Sequence, residues 1–223
     1  MTLSNAALKF NAGSVEVWPR TQTISRWQAE SVFLAQFDDM TAYHPGLIRR
    51  VLELERDPEL AAEWNRLQGG AKVYHLERWN CPEADLIQAR ALAFFKTVFN
   101  TKQAHLDLSW ATIYRDGDYC MPHSHVRTLA SLVYFLSFGD SDPNRSTSGR
   151  FLFVDPRMPV CCGEEKDRMT TPCAPLMKEG LMMMFPGQAV HYVNPYRGER
   201  PRITLSWNIN DRKAEGSPLP STR

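Results

Sequence analysis

The chain has 223 residues, of which 43% are hydrophobic, enough for one sizeable core. Lys and Arg total 26 against 25 Asp and Glu, a formal net charge of +1; with no basic face or tail, nucleic acid is not an expected partner. No apolar stretch approaches bilayer-spanning length, and the opening residues MTLSNAALKF lack a charged start followed by an apolar block, so neither a membrane span nor a signal peptide is expected.

The first hundred residues read as mixed and mostly helical. Ser14 to Trp18 alternates like a short strand stopped by Pro19. Ser25 to Met40 has helical spacing, with Trp27, Val32, Phe33 and Phe37 apolar. Gly46 to Glu55 and Pro58 to Leu67 read as two short helices, and Ala71 to Leu76 as a strand. Pro82 opens the clearest helix, with Glu83 and Asp85 in a first turn where negative charge suits the dipole. Its apolar positions Leu86, Ala89, Leu92, Ala93, Phe95 and Val98 follow a period near 3.6.

After Asn100 the pattern changes. Leu108 to Tyr114, Leu129 to Phe138, Arg150 to Val154, Leu181 to Phe185, Ala189 to Val193 and Arg202 to Ile209 read as short strands, punctuated by Gly, Pro, Asp and Asn. With no helices between them, they predict an all-β jelly roll, a double-stranded β-helix, with N-terminal helices packed outside and an α+β class overall. The expected organisation is a single domain: a mostly helical section over 1–105, a jelly-roll metal-binding core over 106–212 and a flexible tail over 213–223. Asp155 to Gly180 interrupts the strands with four prolines and three cysteines, and a connection that long suggests a lid or rim. The five cysteines are odd in number and form no CxxC pair. Reduced thiols and a cytoplasmic protein are the expectation, favoured over a zinc site from Cys161, Cys162 and Cys173.

His123 and His125 stand at i and i+2, so on an extended chain their side chains point the same way. His191 ends a later strand, and Arg202 lies eleven positions beyond it. Three such histidines can hold one face of an octahedral metal and leave the other positions open. Taken singly, an HxH pair reads equally as two surface residues, His191 as a core histidine, and Arg202 as a solvated arginine. The ordered set is what points to a metal. His44, His75 and His105 fall outside it. Asp155 is an alternative third ligand, while Asp116 and Asp118 belong to a turn. Arg197 and Arg200 read as exposed, and Met182 to Met184 as core strand.

Several segments together resemble 2-oxoglutarate/iron(II)-dependent oxygenases. They are Trp110 to Tyr114, Gly117 to Tyr119, His123-Ser-His125, Ser131 to Leu136, Gly149 to Arg157, Gly180 to Pro186, His191 to Val193 and Arg202 to Asn208. The resemblance covers roughly residues 108–210 and is greatest to the branch whose first motif reads HxH rather than HxD. It implies Fe(II) held by His123, His125 and His191, with 2-oxoglutarate as co-substrate and O2 as oxidant. Arg202 would pair with the distal carboxylate of the keto acid, assisted by Tyr114, Ser206 and Asn208. The outcome would be hydroxylation of a small molecule or peptide. Halogenases of the superfamily have a small residue where His125 stands, so halogenation is not expected. Two alternatives stay open: a three-histidine cupin-type iron dioxygenase, such as a thiol dioxygenase, that uses no 2-oxoglutarate, and a jelly-roll protein that binds metal without catalysis. A homodimer is compatible with the sequence.

Overall fold

A computed structural model describes residues 7–10, 13–16, 32–62, 69–154 and 175–212. The expected lid over Asp155 to Gly180 lies outside these residues except for its last six positions. Also outside are the tail over 213–223, Asp155 itself, and Cys161, Cys162 and Cys173.

Ala7–Phe10 (β1) and Gly13–Glu16 (β2) pair as a hairpin. A seven-stranded antiparallel sheet then follows the order β3-β10-β8-β12-β6-β5-β4. Its strands are Phe33–Gln36 (β3), Ala61–Ala62 (β4), Ala71–Tyr74 (β5), His105–Tyr114 (β6), Ala130–Ser137 (β8), Leu181–Pro186 (β10) and Arg202–Asn210 (β12). A smaller sheet, ordered β7-β11-β9, consists of Cys120–His123 (β7), Phe151–Phe153 (β9) and His191–Val193 (β11). The six strands expected after Asn100 all form, and β7 adds a seventh that carries His123.

The apolar alternation sorts side chains onto two faces. Along β8, Ala130, Leu132, Tyr134 and Leu136 join a core shared with the helices, whereas Val133 and Phe135 point toward the smaller sheet. Along β12, Ile203, Leu205, Trp207 and Ile209 face the helices. The run Met182 to Met184 is buried on both sides, as a central strand requires. The two antiparallel sheets therefore enclose one core between them, and the helices cover the far face of the larger sheet.

Two α-helices supply that cover. His44–Leu54 (α1) buries His44, Leu47, Val51 and Leu54, an i, i+3, i+7, i+10 stripe. Pro82–Val98 (α2) buries Ala84, Ile87, Ala91 and Phe95. That stripe differs from the expected one, since Leu86 is 41% exposed and Ala89 and Ala93 face solvent. Two alanines on the buried side let the helix sit close to the sheet, a spacing preference that hydrophobicity alone does not encode. The expected helix over Ser25 to Met40 is also corrected. Its described part forms β3 and then a 3-10 turn, Asp38–Tyr43. The expected Pro58 to Leu67 helix is corrected at Ala61–Ala62, which pairs with β5. In both places an open sheet edge offers backbone partners that outweigh weak helical periodicity.

Trp207 is 0% exposed, on the helix-facing side of the central strand. Trp207→Ala is expected to destabilise the fold by about 3–5 kcal/mol. Urea unfolding followed by circular dichroism checks it; a loss below about 1 kcal/mol would contradict the packing described.

Candidate metal centre and co-substrate pocket

His191 on β11 stands directly opposite His123 on β7, which brings their ring centroids to 4.3 Å. His125 follows two residues later, just beyond β7, and its ring lies 5.2 Å from each of the other two. One ring nitrogen of each lies within 4.8 Å of the others, so the three can converge on a single ion. Among the described residues no carboxylate joins this group. The segment carrying His125 is fixed by backbone and side-chain contacts. The His125 N–H donates to the Gly187 carbonyl at 2.8 Å. From the end of β12, Asn210 accepts from the Leu129 N–H at 2.7 Å and donates to the Arg127 carbonyl at 3.0 Å. A Cβ at Gly187 would sit 2.1 Å from the Thr128 carbonyl oxygen, so only glycine permits this approach.

Two of the imidazoles have their tautomer set. Nδ1–H of His191 donates to the Ala189 carbonyl at 2.9 Å, and Nδ1–H of His123 donates to the Met121 carbonyl at 2.9 Å. Their Nε2 lone pairs are thereby left for a metal. Phe151, Phe153 and Phe185 pack around His191, with the Phe185 centroid at 4.8 Å. Burial is the first cause that lowers all three histidine pKa values. Together with the neighbouring imidazoles, it brings His191 to about 3 and His125 to about 4. His123 is lowered by burial as well. At neutral pH the group is three uncharged donors.

Arg202 opens β12 opposite Tyr114 on β6. It is 1% exposed, and its Nε, Nη1 and Nη2 have no hydrogen-bond partner among the described residues. Aromatic rings surround it: the guanidinium carbon is 5.2 Å from the Tyr114 centroid, 6.0 Å from Phe135 and 5.9 Å from Phe138. Burial pulls its pKa down from the ordinary arginine value, yet guanidinium stays charged in proteins. A buried cation with all its donors unused is costly, by several kcal/mol. A carboxylate is the group that satisfies such a fork, through two parallel hydrogen bonds. Gly149 makes room for the side chain, because a Cβ there would come within 2.9 Å of Arg202 Cδ.

One cavity joins these parts. Its lining includes all three histidines, Arg202, Tyr114 and Ser206. Burial pushes the Tyr114 phenol well above its ordinary value, so it remains a neutral hydroxyl. Of the residues expected at the site, only Asn208 lies off the cavity wall; its amide meets the His125 ring at 3.3 Å. Several lining residues were not anticipated: Lys72, Trp110, Thr112, Cys120 and Thr204. Thr204 was findable, since it stands at i+2 from Arg202 on the same strand face. Thr112 was findable in the same way, two residues before Tyr114 on β6 and opposite Thr204, but Lys72 was not, because it reaches the cavity only through the pairing of β5 with β6. Burial holds the Lys72 ammonium pKa below its ordinary value. The residues expected elsewhere are elsewhere. His44 bonds the Tyr134 hydroxyl, Asp116 pairs with Arg197, and Asp140 pairs with Arg200.

Comparison with known proteins bears on the family and the fold. Residues 108–208 match the family model described as "Putative 2OG-Fe(II) oxygenase". No curated protein matches the chain. Among solved structures, a prolyl-4-hydroxylase of Pseudomonas putida is 15% identical with a TM-score of 0.57, over 82% of this chain and 94% of that one. A viral collagen prolyl hydroxylase from Paramecium bursaria Chlorella virus-1, solved as its 2OG complex, is 14% identical with a TM-score of 0.54, over 79% and 94%. HygX from Streptomyces hygroscopicus, with nickel and 2-oxoglutarate bound, is 13% identical with a TM-score of 0.58, over 80% and 82%. At these identities the likeness establishes the shared fold.

The depressed histidine pKa values set a pH dependence. Below the ordinary value of 6.5 the unfolded chain takes up protons that the folded chain refuses. Their contribution to stability is therefore undiminished above pH 6.5 and falls as pH drops toward about 4 and about 3. The slope is at most about 1.4 kcal/mol per pH unit for each histidine. Urea unfolding of metal-free protein between pH 7.5 and 5 should show that decline, and His191→Gln should make it shallower. An identical slope in the variant would contradict the burial described.

Proposed function

We propose that this chain, whose residues 108–208 match the 2OG-Fe(II) oxygenase model, is an oxidoreductase that uses iron(II), 2-oxoglutarate and O2, and that it hydroxylates a carbon of its substrate at the cavity between the two sheets. His123, His125 and His191 hold the iron, and Arg202 holds the distal carboxylate of 2-oxoglutarate. The observation that carries this reading is the buried Arg202 fork with no protein acceptor, in the same cavity as three converging imidazoles. The 2-oxoglutarate-independent alternative gives that arginine no role.

Iron and 2-oxoglutarate, when bound, supply the oxidising chemistry: the keto acid and O2 become succinate and CO2, and one oxygen atom is delivered to the substrate. The chain supplies position and environment. Arg202 fixes one end of the keto acid, and the neutral Tyr114 hydroxyl, Thr204 and Ser206 offer hydrogen bonds along the same wall. Phe151 and Phe185 keep water from the His191 side. Three neutral imidazoles leave the metal one positive charge higher than a set with a carboxylate would. His125 fills the place where a halogenase has a small residue, so oxygen insertion is the expected outcome. The substrate is a small molecule or a peptide; the prolyl hydroxylase of Trichoplax adhaerens, 12% identical with a TM-score of 0.55, is solved with a peptide fragment. No described helix is long and apolar enough to cross a membrane. The free thiols of Cys81 and Cys120 suit a reducing, cytoplasmic setting.

Single alanine variants separate the two roles. His123→Ala, His125→Ala and His191→Ala should each lose most bound iron. If His125→Ala kept its iron and Asp155→Ala lost it, the carboxylate would be the third ligand. Arg202→Ala should keep iron and bind 2-oxoglutarate about tenfold or more weakly, since charge-assisted contacts contribute roughly 1.5–3 kcal/mol. Calorimetric titration of the iron-loaded proteins reads it, and an unchanged dissociation constant would remove Arg202 from the site.

A further inference from the structure

The three histidines are not held alike. His123 and His191 each give Nδ1–H to a backbone carbonyl, an acceptor with one role, so each tautomer is fixed. Among the described residues His125 has no such carbonyl. Its Nδ1 faces the side-chain amide of Asn208 at 3.3 Å. The far end of that amide meets Ser131, whose Oγ donates to Asn208 Oδ1 at 3.0 Å. Ser131 lies directly across from Asn208 on β8 and is 2% exposed.

We propose that Asn208 is a positioning residue for His125, whose amide orientation selects the ring nitrogen that carries the proton and so decides whether His125 offers Nε2 to a metal. This rests on the reading of His125 as a ligand and deepens it. In the orientation observed, Nδ2 donates to Nδ1 of His125, which puts the ring proton on Nε2 and closes that atom to a metal. Turning the amide by half a revolution presents Oδ1 instead. The ring proton then sits on Nδ1 and donates to Oδ1, and Nε2 gains its lone pair. Ser131 serves both states, because a hydroxyl donates to Oδ1 in one and accepts from Nδ2 in the other. Each state keeps the same two hydrogen bonds, so the exchange is inexpensive. The backbone near His125 is tied to Gly187 and Asn210, so the amide, rather than movement of the loop, is the part free to switch. Asn208 therefore acts on the metal through His125 and not by contact with the co-substrate.

The test uses Zn(II) as a redox-inert probe, with nitrogen NMR of the histidine rings near pH 7.5. In metal-free wild-type protein His125 should carry its proton on Nε2, and on Zn(II) loading it should move to Nδ1. Asn208→Asp, whose carboxylate can only accept, should show Nδ1–H before and after loading, with zinc affinity equal to or above wild type. Asn208→Ala should bind zinc about 10- to 100-fold more weakly. Zinc affinity of Asn208→Ala within twofold of wild type would overturn the proposal, as would a wild-type His125 already carrying Nδ1–H without metal. If zinc shifts the nitrogens of His123 and His191 and leaves those of His125 unchanged, the ligand assignment of His125 fails instead, an outcome distinct from the first two.

Discussion

Strand β12 is the constraint on which the rest depends. It lies at the centre of the larger sheet, between β8 and β6, and side chains on a strand alternate with a period of two. Ile203, Leu205, Trp207 and Ile209 are thereby committed to the helix-covered core. Arg202, Thr204 and Ser206 are committed to the cavity, and Asn208 to the His125 ring. A slip of one residue would exchange the two sets, burying a guanidinium under α2 and turning an indole into the site. The packing that stabilises the fold is therefore what places the functional groups.

The electrostatics follow from that placement. The sheets exclude water from a space that holds a guanidinium and three imidazoles. Desolvation acts oppositely on their usefulness. It keeps the imidazoles neutral, the form in which they can ligate. It leaves Arg202 charged and unsatisfied, the form in which a carboxylate is most strongly attracted. No carboxylate stands among the described metal-facing residues; under the proposed function the co-substrate brings negative charge to the site. One environment thus prepares both halves of the binding site.

Much of this was legible in the sequence because it is local. The HxH spacing, the apolar strand over Ala130 to Ser137 and the eleven-residue step from His191 to Arg202 each read directly. What was not legible is set by pairing across the sheet. Lys72 reaches the cavity through the register of β5 with β6, which no local pattern states. The segment around Phe33 has helical spacing yet forms an edge strand, because β10 offers it a hydrogen-bonded partner. Asn208 has the right side-chain chemistry for a co-substrate contact, but its amide meets the His125 ring, a neighbour that only the folding of the segment beyond β7 against β12 supplies. Ser131 was visible only as part of an apolar run; its role depends on being opposite Asn208.

The central claim is that one cavity binds iron through histidines and the keto acid through both the iron and Arg202. Anaerobic titration of the iron(II)-loaded protein with 2-oxoglutarate tests it most directly. A weak visible charge-transfer band should grow to saturation, since it arises only when the keto acid chelates the metal. Saturable 2-oxoglutarate binding with no band would place the keto acid away from the iron and contradict the account.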